Sequence, residues 1–263
     1  MQKEQIEWYQ QWSLFKDEKF DGEELFLFRD WIYPNRLEDF KDKEVLECGC
    51  GGGVHTSFIA QHAKYVIAVD LNTSDLAKER NKKFTNITFL KSDIAEMDLG
   101  YQFDIVLSIG TIHHTDNPDK TIQNLKQHLK PGGKIILWVY SKEGNFWLSN
   151  ILEPIRKKFL SYLSRERILF LSKIICSLLY FPIYTIYLLP LSFLPYYEYF
   201  KNFRWLSYRR NLLNIFDKLN APQVHFISYQ RAKSWFSESE YDLVISSYRN
   251  VSWRITAQRK CIE

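Results

Sequence analysis

Cysteine is scarce and unpaired in this sequence. Four stand in 263 residues, at 48, 50, 176 and 261, with no spacing that pairs them, so a disulfide-stapled fold is excluded and a reducing compartment is expected. Cys48 and Cys50 have no further ligand nearby, so C-x-C is not a metal site here, and no metal is expected. The first residues, Met1 to Gln5, lack a charged-then-apolar signal segment, which makes a cytoplasmic location the expectation; the acceptor patterns at Asn86 and Asn250 then carry no weight. A net charge of +4 is too small to argue for a nucleic-acid partner. An unbroken membrane helix is also missing. Ile174 to Tyr197 is free of charge and long enough to span a bilayer, but Pro182, Pro190 and Pro195 interrupt it. What the chain has is ample core material, 46% hydrophobic and 16% aromatic, enough for one large domain or a domain with an insertion.

Glycine is scarce as well, ten in all, yet four of the ten lie between 49 and 53. Val45-Leu46-Glu47-Cys48-Gly49-Cys50-Gly51-Gly52-Gly53-Val54 reads as an apolar strand, an acid, a glycine loop and a helix start. Without Cβ atoms in the way, the loop lets a ligand approach the backbone closely. A second buried-strand run, Val66 to Val69, ends in Asp70, about twenty residues past the glycines, where a carboxylate can accept from both hydroxyls of a ribose. Further apolar runs near 87–91, 103–109 and 133–140 alternate with helical segments near 54–62, 73–83 and 118–129. The strand runs do not alternate in polarity, as expected of a parallel sheet buried on both faces. Asp116-Asn117-Pro118 is a helix start, the proline fixing the first turn.

The third glycine follows Gly51 by two residues, not the three of the dinucleotide fingerprint. The loop instead resembles motif I of the class I S-adenosylmethionine-dependent methyltransferases. Four more segments carry the resemblance: Asp70; Phe89 to Ile94, with Asp93; Phe103 to Ser108; and Leu129 to Lys134. Together they cover roughly residues 43–140, with Glu47 standing where the family more often has Asp. The resemblance implies a Rossmann-like, doubly wound, mostly parallel α/β sheet of seven strands, S-adenosylmethionine as cofactor, and a cofactor site at Glu47, Gly49, Cys50, Gly51, Gly53, Asp70, Leu71, Asp93, Ile94 and Ser108. Asp70 would hold the ribose and Asp93 the adenine amino group; Ser92-Asp93 can equally cap the next turn. In this family an N-terminal helical segment often covers the cofactor. Residues 4–33 read as two aromatic helices, Trp8, Trp12 and Phe15, then Leu25, Phe26, Phe28 and Trp31, which either do that or pack on the sheet.

Past Tyr140 the alternation stops, and residues 144–205 read as a helical cap inserted after the fifth strand. Between 143 and 210 ten basic residues face four acidic ones, a surplus of +6 in the most apolar part of the chain. A broken, apolar, basic-flanked helical segment suits either a cap packed on the catalytic domain or one that also touches a membrane surface. Tyr241 to Ser247 and Val251 to Gln258 read as two more strands, after a helix near 229–239, and complete the sheet. The expected division is therefore 1–42, an N-terminal helical segment; 43–143 and 206–263, the nucleotide-binding domain; and 144–205, the insertion.

Methyl transfer is an in-line displacement that needs an aligned acceptor with a free lone pair. After the fourth strand stands Thr111-Ile112-His113-His114-Thr115, resembling an L-H-H-T-type segment of one methyltransferase subgroup. His113 and His114 are the best base candidates, since imidazole exchanges protons near neutrality; their alternative is packing under the cofactor and orienting the loop. Tyr140, at the end of the fifth strand, is a candidate for the acceptor pocket; Asp217 and His225 stand in a D-x-(n)-P-x-x-H segment that resembles one of the same subgroup, and either line that pocket or serve the structure. The expected partner is a small-molecule acceptor, amphiphilic or lipid-linked. The rivals are a polar sugar or peptide-type metabolite, and a non-catalytic membrane-associated module of the same fold.

Overall fold

The computed structural model describes residues 21–261; the helix expected around Trp8, Trp12 and Phe15 lies outside the described residues. The strands are β1 (Glu44–Cys48), β2 (Tyr65–Asp70), β3 (Ile87–Lys91), β4 (Phe103–Ile109), β5 (Leu129–Tyr140), β6 (Tyr241–Tyr248) and β7 (Ser252–Arg259). They form one sheet in the order β3-β2-β1-β4-β5-β7-β6. β1 to β5 run parallel, and β7 is antiparallel between β5 and β6. Arg249 and Asn250, both with positive φ (49° and 58°), turn the β6–β7 hairpin tightly. β5 begins at Leu129, earlier than expected, with a register shift between Phe103 and Ile105 where its turn joins the ladder.

The apolar strand runs are explained by burial on both sides. One core holds Phe28, Phe40, Val45, Val66 and Leu107; the opposite one holds Leu46, Val69, Val106, Leu125 and Ile255. The helices α1 (Asp21–Ile32), α2 (Val54–Ala60), α3 (Ser74–Arg80) and α4 (Pro118–Gln127) cover these faces. α4 starts as the sequence implies: the Asn117 side chain accepts from the Lys120 N–H at 3.1 Å, with Pro118 in the first turn. On α1, Phe28 is buried between Phe40, Phe58 and His55, and Trp31 packs on Trp138. Phe26 does not share that face and is exposed.

Between β5 and β6 lie α5 (Glu153–Lys158), α6 (Arg165–Ile183), α7 (Tyr197–Phe203), α8 (Tyr208–Asn220) and α9 (Tyr229–Ser234). α6 tolerates Pro182 only in its last turn and stops one residue later. Its inner side shares a core with α8, made of Ile168, Cys176, Ile183, Phe203, Leu212, Phe216 and Leu219. The cap therefore runs on to Asn220, past the boundary expected at 205, because the apolar face of α8 is buried against α6. Its two ends meet: Ile227 N–H donates to Tyr140 O and Lys142 N–H to Ile227 O, each at 2.9 Å. Among the described residues, no helix is long and apolar enough to cross a membrane.

Candidate active site

At the carboxyl ends of the parallel strands a cavity of about 1130 Å³ opens, bounded by the glycine loop, the end of β2, the segment after β4, α1 and the cap. Gly49, Cys50, Gly51, Asp70, Leu71, Asp93, Ile94, His113 and His114 all line it. Gly49 adopts φ +82°, and a Cβ there would lie 2.2 Å from Thr111 Oγ1, so the loop closes on the segment after β4 only because this position is bare. The Asp70 carboxylate organises the loop from below. Oδ2 accepts from Gly51 N–H, and Oδ1 from Asn72 and Thr73 N–H, each at 3.0 Å. Asp93 lines the cavity and also accepts from Ala95 N–H at 2.8 Å, so it holds its own turn as well as facing the site.

Three residues expected on the cofactor do not line the cavity. Glu47 is buried beneath the loop, where the Thr56 hydroxyl donates to it at 2.5 Å, and burial pushes its carboxyl up to about 7. Gly53 is the left-handed residue before α2, and a Cβ there would come 2.8 Å from Ala77 Cα, so it serves the packing of α2 on α3. Ser108 is fully buried and ties β4 to β1 by donating to Cys48 O at 2.8 Å. All three support the loop from inside.

The far wall is aromatic and polar. His113 is buried on the Tyr140 ring, centroids 4.2 Å apart, beside His114 and Trp138. The Tyr140 N–H approaches its Nδ1 at 3.4 Å, and its Nε2 has no hydrogen-bond partner among the described residues. Burial, then His114, His225 and Lys218, hold the His113 ring well below the usual imidazole range. His114 Nδ1 lies 2.7 Å from Gln223 O. A carbonyl only accepts, so Nδ1 carries the proton, and in the neutral ring Nε2 keeps the lone pair. Burial lowers the pKa of His114, with Asp217 acting against it. Gln223 grips the loop again through its amide, which donates to His114 O at 3.0 Å and to Asp116 at 2.8 Å. Tyr140 and Asp217 both line the cavity, and the Tyr140 hydroxyl donates to Asp217 at 3.3 Å. His225 lies outside the lining, although its backbone N–H donates to His113 O at 2.7 Å.

Sequence reasoning missed the contributions from distant helices. Lys218 donates to the Tyr199 hydroxyl at 2.9 Å and lies over the Tyr140 and Tyr199 rings. Burial works against its ammonium, but the two tyrosines and Asp217 outweigh that and raise its pKa. Glu24 of α1 meets Arg210 of α8 at 2.5 Å and His55 at 3.6 Å. Among the described residues, no group of His, Cys, Asp and Glu is arranged to hold a metal.

Residues 46–137 match the family described as a methyltransferase domain. The ubiquinone biosynthesis O-methyltransferase of Coxiella burnetii is 30% identical over 162 residues, covering 52% of this chain and 69% of that protein. The chain belongs to the class I S-adenosylmethionine-dependent methyltransferases. The protein of the same description from Rickettsia akari is 35% identical over 135 residues, 44% of this methyltransferase and 52% of the relative, and that from Rickettsia conorii is 31% identical over 126 residues, 46% and 43%. The chain thus spans about half the length of these two relatives. The N-methyltransferase NodS of Bradyrhizobium japonicum WM9, solved with S-adenosyl-L-homocysteine, aligns with 96% of this methyltransferase and 98% of its own chain at 12% identity and a TM-score of 0.48. As a member of that family, this methyltransferase takes S-adenosylmethionine as its cofactor. The cavity suits it: a bare backbone at Gly49 and two carboxylates, Asp70 and Asp93, stand on one edge and would hold an adenosyl group, while the aromatic wall lies opposite.

Proposed function

We propose that this methyltransferase acts on a small amphiphilic or lipid-linked acceptor and methylates it at a group that must give up a proton. The reading rests on the continuity of one cavity, which passes from Asp70 and Gly51 beneath the histidines to cap residues such as Leu148, Leu152, Leu179 and Phe200. An adenosyl cofactor accounts for the loop end, and the cap end offers an apolar, aromatic lining to an acceptor. The O-methyltransferase relatives, described by ubiquinone biosynthesis, favour a hydroxyl as the methylated group. In the same reading the cap brings the enzyme to the inner surface of a membrane, where such acceptors reside.

The cofactor supplies a methyl group made electrophilic by its sulfonium. Asp70 would hold the ribose and Asp93 the adenine. His114 takes the acceptor's proton at Nε2, with Gln223 O fixing the tautomer through Nδ1. His113, neutral and buried, offers Nε2–H to the acceptor oxygen. Lys218 and Asp217 would orient the acceptor's polar end; this polar cluster also favours the second reading, a sugar or peptide-type metabolite.

Purified protein is incubated with methyl-labelled S-adenosylmethionine and with lipid or aqueous cell extract. Label in the lipid fraction is expected. Label confined to the aqueous fraction selects the polar acceptor. Cofactor binding with no transfer to either fraction selects the non-catalytic module.

A further inference from the structure

α6 is apolar on two sides. Ile175 and Leu179 line the cavity. Phe170, Ile174, Leu178 and Phe181, about one turn apart, form a separate stripe that is exposed, Leu178 at 69% and Phe181 at 73%. Most of the large apolar side chains exposed among the described residues lie between 146 and 208, so this is a concentrated patch and not the scatter found on ordinary surfaces. Exposed Lys158, Arg167 and Lys173 punctuate it, with Glu166 the acid between them, and from Ile174 to Tyr197 no charge interrupts it.

We propose that the outer face of α6 docks on an anionic lipid surface and admits a membrane-dissolved acceptor past Ile175 and Leu179 into the cavity. The docking stands on the patch alone; the admission rests on the amphiphilic-acceptor reading. Charge selects the occupant. A second copy of the chain on a two-fold axis would set the same basic side chains against each other, whereas anionic headgroups neutralise them. The geometry also fits a surface and not a span. The stripe occupies one side of a helix whose other side is committed to the cap core through Ile168, Cys176 and Ile183, so the helix can sink only its outer face into the headgroup region.

The full chain is centrifuged with vesicles of phosphatidylcholine alone, or of phosphatidylcholine mixed with phosphatidylglycerol, at low and high salt. Binding to the anionic vesicles about tenfold or more above the neutral ones, and released by salt, is expected. Phe170→Ser, Leu178→Ser and Phe181→Ser together should cut binding about tenfold or more, and Lys158→Gln, Arg167→Gln and Lys173→Gln about fivefold each. S-adenosylhomocysteine affinity, read by calorimetry, should stay unchanged in every variant and certifies that they fold; the lipid and salt comparison on the unaltered chain needs no variant. A chain left in solution with anionic vesicles at low salt overturns the proposal. So does a dimer, seen by ultracentrifugation, that the serine variant dissolves. Vesicle binding without methylation of any lipid-soluble acceptor supports the docking and overturns the admission.

Discussion

Arg210 Nε lies 2.5 Å from Glu24 Oε1, which fastens cap helix α8 to α1 beside the cavity. The neighbouring acid acts on the same junction, since the backbone N–H and hydroxyl of Ser207, the residue capping α8, both donate to Glu23. Helices more than 170 residues apart in sequence thus close one site.

Replacing Arg210 by Met leaves the Glu24 carboxylate buried without its partner and should cost about 3–5 kcal/mol in urea denaturation. Burial would raise the Glu24 pKa, but Arg210 and His55 bring it down to about 2 from an ordinary 4.5. A depressed carboxyl contributes stability that is present above its unfolded pKa and lost as pH falls through its folded one. The unaltered chain should therefore lose more stability than Glu24→Gln between about pH 5 and about pH 2.

Glu47 titrates with the opposite sign. Burial raises it from 4.5 to about 7, with the Thr56 hydroxyl acting against the shift. The folded chain therefore prefers the protonated form, and stability falls as pH rises from the unfolded value through the folded one. Glu47→Gln keeps an acceptor for Thr56 and cannot ionise. Its stability relative to the unaltered chain should improve by about 3 kcal/mol between acid and mildly alkaline pH. Denaturation midpoints that move in parallel for the two proteins would refute the burial argument.

Asp70→Ala should weaken S-adenosylhomocysteine binding by about 1–3 kcal/mol, measured by calorimetry. Part of that loss comes from the loop, because Gly51, Asn72 and Thr73 lose their shared acceptor. Unchanged affinity would remove the ribose assignment.

His114→Ala should lower kcat about 10²–10⁴-fold at saturating cofactor. Burial places the working pKa of His114 below 6.5, so the acid limb of the unaltered enzyme's pH profile should fall below that value and vanish in the variant. Gln223→Ala keeps the backbone carbonyl that fixes Nδ1 but loses the amide contacts to His114 O and Asp116, and should lower kcat less.

The sheet was readable because its order is written locally. Val45-Leu46 and Val66 to Val69 are buried on both faces, and Asn117-Pro118 announces its helix. The loop was readable for the same reason, since Gly49, Gly51 and Asp70 act through backbone and short range. Glu47, Gly53 and Ser108 fit the motif pattern, yet their side chains or bare Cα positions are used one layer below the cavity, a distinction that depends on which way each strand residue points. The extent of the cap was not readable at its end. α8 carries Leu212, Phe216 and Leu219 at a helical period that would suit either the sheet or α6, and only tertiary packing decides. Glu24, Arg210 and Lys218 were missed because each acquires its meaning from a partner far away in the chain.

The cap leaves and rejoins the sheet at one doorway, where Tyr140, Ser141 and Lys142 pair with Ile227 through the backbone. An excursion closed by its own clasp imposes no register on the strands beside it. The loop can therefore be lengthened, trimmed or exchanged while the half that grips the adenosyl group stays as it is, and selection acting on this stretch alone could re-address the same methyl donor to new recipients.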